Sequence, residues 1–306
     1  MFDLNEAILQ RLCAINSFTP PTDKMVFFGL RGCLPVDFDN TGFAASHQLE
    51  LTNTNHSHAR CTLGQWIPGK GIAVFSGSTV PHEKNIRTAK AKGGSGTNML
   101  MTGYYNDYRK GRHKGVKPTG HDAFRQANKL PVRRSADDLD YDNDDRVEYS
   151  RAFDNLHAAW CQSTEQASFA SAGCQVVVGY PRCSQRGNMP DTGPWKVFRD
   201  NAYDLDQQSF DYILLNGRDA RKIAAAGVAA PQMPRLRYGS QGQSVSTLQT
   251  ALNNAGYNVG GVDGDFGWRT LSEVLEFQTD TFGDDADDGV VGPQTAAALG
   301  MTWENA

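Results

Sequence analysis

The sequence predicts a mostly β domain, a sandwich or partly closed barrel, followed by a small all-α domain of three helices. Short runs of strand texture recur along the first two thirds: HQLELTNT from residue 47, CTLGQWI from 61, GIAVFSG from 71, TNMLMTGYY from 97, CQVVVGY from 174 and FDYILLNG from 210. The charge then changes sign. Residues 235–306 carry three basic and ten acidic side chains, a net of −7, whereas the preceding 234 carry 27 and 24, a net of +3. Finally, the acidic segment contains an internal repeat at helical spacing.

Taken in order, Leu4, Ile8, Leu9 and Leu12 place a short amphipathic helix within residues 4–16. Pro68-Gly69-Lys70-Gly71, between two apolar runs, is a hairpin signal. RKIAAAGVAAPQMPRLRYGS, from residue 221, is rich in Ala, Gly and Pro without strand alternation and reads as a linker. The expected division is therefore a helical N-terminal extension at 1–40, a β-rich domain at 41–222, a linker at 223–234 and the helical domain at 235–306. In the last, Asp263-Gly264-Asp265-Phe266-Gly267 returns further along as Asp288-Gly289-Val290-Val291-Gly292, each copy a turn before a helix start. Pro293 suits a first helical position, where its missing N–H costs nothing. Val245, Leu248 and Leu252, then Leu271, Val274, Leu275 and Gln278, form the facing stripes of a small bundle.

Composition narrows the function classes. Hydrophobic residues at 39% and charged residues at 21% are enough for a core. A net charge of −4 gives no basic excess for a nucleic-acid partner. No apolar run approaches the roughly 18 residues of a membrane span. The N-terminal stretch MFDLNEAILQRLCAINSF lacks the apolar run of a signal peptide, so the expectation is synthesis in the cytoplasm and delivery by lysis or specialised secretion. Six cysteines, none in a Cys-x-x-Cys pair, argue against a disulfide scaffold or zinc ribbon and leave a thiol free for chemistry. Cys161 and Cys183 are open to pairing or simple packing.

The pattern Leu236-Arg237-x-Gly239-Ser240-x-Gly242-x-x-Val245-x-x-Leu248-Gln249-x-x-Leu252, with Gly256-Tyr257 and the two Asp-Gly repeats, closely resembles the peptidoglycan-binding type 1 domain. The resemblance covers nearly all of the C-terminal segment and implies a three-helix wall-binding module that anchors a partner domain on murein.

In the β-rich part, His157 precedes Cys174 with a loop's length of chain between them, each beside apolar strand-like sequence. A base on one strand and a thiol at the start of its neighbour is the arrangement of a cysteine nucleophile, with the imidazole lowering the thiol pKa and later protonating the leaving amine. Small residues before the cysteine would let the Gly173 and Cys174 N–H groups face a developing oxyanion. His157 followed by Ser171-x-Gly173-Cys174 resembles the signature of L,D-transpeptidases of the YkuD type, with Cys174 as nucleophile, His157 as base, and Ser171 and Gly173 as motif partners. The resemblance implies a β sandwich or barrel that attacks stem peptides after the L-centre of diaminopimelate and forms a thioester. An amine acceptor then gives cross-links or exchange, and water gives a carboxypeptidase. Two positions depart from the family: Ala172 stands where a histidine is usual, and Val176 where Arg or Asn is usual. Arg182 or Arg186 would take over the substrate-carboxylate contact, and His121 would line the cleft.

Other candidates are weaker. Asp140, Asp142 and Asp144 imitate a calcium loop, but Asp145 and Arg151 stand where Gly and Glu are needed, which favours a solvated acidic loop. His56 and His58 lack a third zinc ligand and a general base. The basic, tyrosine-containing stretch 87–134 reads as a solvated loop, with His113 and His121 exposed on it. The expectation is thus a peptidoglycan-modifying cysteine enzyme that needs no metal or organic cofactor, an antibacterial effector or phage lysin partnered by peptidoglycan and by a delivery apparatus or immunity protein. Its rivals are a stem-peptide hydrolase with the same site and a non-catalytic wall-binding or virion protein.

Overall fold

The computed structural model describes residues 1–94, 96–135, 138–141 and 145–302. In chain order its strands are β1 (Phe2–Asn5), β2 (Val26–Arg31), β3 (Cys33–Pro35), β4 (Ser46–Leu51), β5 (Cys61–Ile67), β6 (Gly71–Ser78), β7 (Thr97–Leu100), β8 (Gly103–His113), β9 (His121–Gln126), β10 (Leu130–Ser135), β11 (Val147–Ser150), β12 (Leu156–Ala158), β13 (Gln175–Val177) and β14 (Ser209–Asn216). The helices are α1 (Glu6–Ile15), α2 (Glu83–Lys92), α3 (Gly193–Tyr203), α4 (Gly217–Ala226), α5 (Gln243–Asn254), α6 (Trp268–Phe282) and α7 (Pro293–Ala298). None of the described helices is long and apolar enough to cross a membrane.

Eight strands close a barrel in the order β12-β13-β6-β5-β2-β14-β8-β9, with β9 returning to β12. Its interior is aromatic: Phe27 stacks on Phe210 at 4.4 Å and meets Phe124 edge-on at 4.8 Å, while α3 adds Trp195 and Phe198. Strand β2 is apolar from Val26 to Leu30 because both of its faces are covered. Phe27 points into the barrel, whereas Val26, Phe28 and Leu30 pack outward against Ile8, Leu9 and Leu12 of α1 and Ile223 of α4. Two three-stranded sheets flank the barrel, β1-β4-β3 and β11-β10-β7.

Three boundaries differ from expectation. Residues 1–40 are not a helical extension, since they supply β2 to the barrel and β1 and β3 to a sheet beside it. The linker is shorter than residues 223–234 because α4 continues to Ala226, its Ala220 and Ile223 buried on one face against α1. The stretch 87–134 is no solvated loop: it holds β8, β9 and β10, with Tyr105 and Tyr108 fully buried.

The helical module shows why its sequence repeats. Gln249 on α5 donates to Asp263, the Asp265 carbonyl and Thr270, and accepts from Gly264 N–H. Gln278 on α6 donates to Asp288, the Val290 carbonyl and Thr295, and accepts from Gly289 N–H. Each copy is one buried glutamine that satisfies a following Asp-Gly turn and the helix start beyond it. The module is docked on the barrel: Met101 lies in its core, Tyr104 N–H donates to the Tyr238 carbonyl at 2.9 Å, and buried Arg133 pairs with Asp287 at 2.8 Å.

Candidate active site

Strands β12 and β13 are parallel, with Leu156 opposite Gln175, His157 opposite Val176 and Ala158 opposite Val177. Side chains alternate across such a pair. Leu156, Ala158 and Val177 enter the barrel core, so His157 and Val176 lie on the outer face, as does Cys174 one residue before β13. The loop 159–173 folds back over this face, packing Phe169 and Cys161 around the thiol. On the other side, β9 pairs with β12 and, at its far end, His121 stands opposite His113 of β8. The topology thus gathers three histidines and a cysteine that are far apart in sequence.

Ring nitrogens of His113 and His157 and the Cys174 sulfur lie within 4.8 Å of one another. The His113 and His157 rings stack at 4.1 Å and 18°, and His121 meets His157 edge-on at 5.2 Å. Their partners fix the tautomers. His157 Nδ1 donates to the Ala158 carbonyl at 2.8 Å, leaving Nε2 with a lone pair. His121 likewise bonds the Thr119 carbonyl through Nδ1 at 2.7 Å, and its buried Nε2 has no partner. His113 is the reverse case. Asn155 Oδ1 accepts from Gln126 N–H, so its Nδ2 faces and donates to His113 Nδ1 at 3.0 Å, which puts the His113 proton on Nε2.

That assignment bears on metal binding. His113, His157 and Cys174 have the spacing of a ligand set. In this tautomer the His113 lone pair, on Nδ1, is taken by Asn155 Nδ2, so ligation by His113 would require that bond to break or the ring proton to move.

Cys174 is 9% exposed, and burial, with Asp154 nearby, pushes its thiol up to about 12. The thiol donates to the Phe153 carbonyl at 3.4 Å, while the N–H groups of Asn155 and of Cys174 itself act on the sulfur in the opposite sense. Burial, then the neighbouring His113 and His121, hold His157 well below the usual histidine range. Burial takes His113 to about 3. The resting pair is therefore a neutral thiol beside a neutral imidazole. The expected thiolate–imidazolium is not its ground state, because desolvation penalises both charges.

The turn before Cys174 is also more committed than expected. Ser171 Oγ accepts from Gly173 N–H at 3.0 Å and donates to the Cys174 carbonyl at 2.8 Å. The Gly173 N–H is thus occupied and does not serve an oxyanion, which leaves Cys174 N–H. Gly173 has φ of +131°, and a Cβ there would stand 2.1 Å from Asn98 Nδ2, so both backbone and space demand glycine. Asn98 of β7 holds this turn from outside, its N–H donating to the Ala172 carbonyl at 3.3 Å.

Among the other candidates, His121 is buried in the cluster, contrary to the exposed loop position expected, because its strand closes the barrel. Arg182 is exposed, and its N–H bonds Asp191 at 2.6 Å; its side chain joins none of the contacts described above among the described residues. Arg186 turns back to the Pro190 carbonyl at 3.2 Å. Asp140 is exposed, its N–H bonding Asp138, while Asp142 and Asp144 lie outside the described residues. All six cysteines are free, Cys161 and Cys183 included.

Sequence reasoning missed Asp154. It is fully buried close to the thiol and accepts from Asn98 Nδ2 at 3.0 Å and Gln175 Nε2 at 2.9 Å; Gln175 accepts from Tyr212 at 2.9 Å. Burial raises it to about 7 against the pull of those amides and of Arg31. Its place just ahead of His157 was visible, but its partners come from β7, β13 and β14 and have no local signature.

No solved structure matches the chain. Residues 241–299 match the family model of the putative peptidoglycan binding domain, and this helical module, docked on the barrel, points to an association with the cell wall.

Proposed function

We propose that the barrel is a cysteine acyltransferase or peptidase acting on murein stem peptides, of the L,D-transpeptidase type. The observation that carries this reading is the juxtaposition of Cys174 Sγ with His157, whose free Nε2 is held by the Nδ1 bond to Ala158. As Sγ attacks the scissile carbonyl carbon, the thiol proton passes to His157 Nε2. Charge separates only at that moment, which suits a site where burial disfavours the resting ion pair. The tetrahedral oxyanion meets Cys174 N–H. Collapse breaks the C–N bond, the His157 proton goes to the departing amine, and a thioester remains. An acceptor amine or water then attacks the thioester, giving its proton to Nε2, which returns one to the sulfur.

Muropeptide mass spectrometry of purified sacculi tests this. Wild type should shorten tetrapeptide stems and Cys174→Ala should not; His157→Gln should slow the reaction by about 10²–10⁴-fold. A supplied D-amino acid appearing in the stems, or new 3–3 cross-links, identifies a transferase, whereas shortened stems alone identify a hydrolase. The low exposure of the sulfur favours a second reading, a wall-binding protein whose barrel is a scaffold. Identical profiles for wild type and Cys174→Ala, with wall binding retained, would establish it.

A further inference from the structure

Between barrel and helical module runs a cleft of about 360 Å³, on the scale of small-ligand sites at domain junctions. Its wall is an aromatic ladder built by both modules. Its accessible rings are the half-buried Tyr149 of β11 and Tyr238, which face each other at 6.4 Å, while buried Tyr105 of β8 packs behind Tyr238 at 5.3 Å and Trp268 of α6 backs Tyr149 at 5.4 Å and 7°. At its rim stand three exposed amides, Asn106, Asn128 and Gln241. Its charged lining residues are one cation, Lys129, and one anion, Asp265, neither ion-paired among the described residues.

We infer that this cleft binds the amino-sugar backbone of peptidoglycan, resting on the wall-directed reading above. The chemistry selects sugar over peptide. Pyranose C–H groups carry partial positive charge and lie against the negative faces of aromatic rings. Amide side chains, each both donor and acceptor, match hydroxyls and N-acetyl groups. A stem peptide, rich in carboxylates, calls for a cationic lining, and here Lys129 is offset by Asp265. Gln241, Asp265, Phe266 and Gly267 belong to the segment that matches the peptidoglycan-binding model, but the aromatic wall is completed by β8 and β11 of the barrel. The site therefore exists only in the docked chain. Its position suits the chemistry proposed at Cys174. Tyr149 lies four residues before Phe153, whose carbonyl accepts from the Cys174 thiol, so the Cα atoms of Tyr149 and Phe153 are at most about 14 Å apart.

The test is calorimetric titration of the full chain with peptide-free glycan strands released from murein by an amidase, and separately with free tetrapeptide stems. Wild type should bind the glycan. Tyr149→Ala should weaken it at least tenfold, and Gln241→Ala and Asn128→Ala, exposed positions that leave the fold intact, several-fold each. Cys174→Ala should bind as wild type does, so a wild type that binds glycan but shows no Cys174-dependent stem chemistry would sink the catalytic reading and leave this one standing. Absence of glycan binding, affinity unchanged in both amide variants, or a cleft that takes stems instead of glycan would overturn the inference.

Discussion

Asp154 and Cys174 are both acids whose neutral forms burial favours, and each makes a measurable difference. With its thiol at about 12, Cys174 at pH 8 has roughly a thousandth of the thiolate of an ordinary cysteine near 9. Iodoacetamide should therefore label it at least that much more slowly in the folded chain than in urea, read by peptide mass spectrometry. Faster labelling of Cys174 than of the other thiols would mean that the resting ion pair forms after all. Asp154 keeps its proton to about 7 when folded and loses it near 3.8 when unfolded, so the native state binds more protons between those values. Its contribution to stability therefore falls as pH rises from about 4 to 7, by on the order of 4 kcal/mol. His113 and His157, depressed by burial, act in the opposite direction over part of that range. The check is thus a difference: denaturant melts of Asp154→Asn and wild type should diverge steadily between pH 4 and 7, the variant gaining relative stability toward neutrality. Parallel curves would place the carboxyl in its ordinary range.

At the scale of elements, the turn of residues 171–174 carries the site. Ser171→Ala removes the hydroxyl that bridges Gly173 N–H and the Cys174 carbonyl and leaves two buried backbone groups unpaired, at a cost of about 1–3 kcal/mol. Gly173→Ala meets the Asn98 side chain and a disallowed φ together and should cost at least about 2 kcal/mol. Thermal melts give these costs. Activity losses larger than the stability losses would show that the turn positions the nucleophile beyond merely keeping it folded. Much of this element is visible in the chain, since Ser171, Gly173 and Cys174 are consecutive or nearly so. The histidine partners are less visible. His113 and His121 look like residues of a basic surface loop until β8 and β9 pair and bring them across to β12.

For the whole molecule, the docking of the two modules is the decisive feature. Met101 is 7% exposed within the helical core, between β7 and β8, and the buried Arg133–Asp287 pair and the Arg237–Thr102 bond of 2.9 Å lie along the same seam. Met101→Asp places an unpaired charge there. Calorimetry should show one cooperative transition for wild type and two for the variant, with the muropeptide activity proposed for the barrel less affected than wall binding. A single unchanged transition in the variant would mean that Met101 does not carry the coupling, and two transitions already in wild type would mean that the modules were never energetically coupled.

The sequence by itself determines the helical module, because its fold is written in local repeats: glutamines on helix faces, Asp-Gly turns just beyond, and apolar stripes three and four apart. It also determines that the rest is β-rich, and it places His157 and Cys174 on adjacent apolar runs. Only the tertiary structure decides that the N-terminal segment completes the barrel, that His113 comes beside the thiol with His121 against His157, that Asp154 lies close to it, and that the thiol and imidazole rest uncharged. Those outcomes depend on pairing between strands far apart in the chain and on desolvation. Neither is a property of any short stretch of chain; both arise only when the barrel closes and water is expelled.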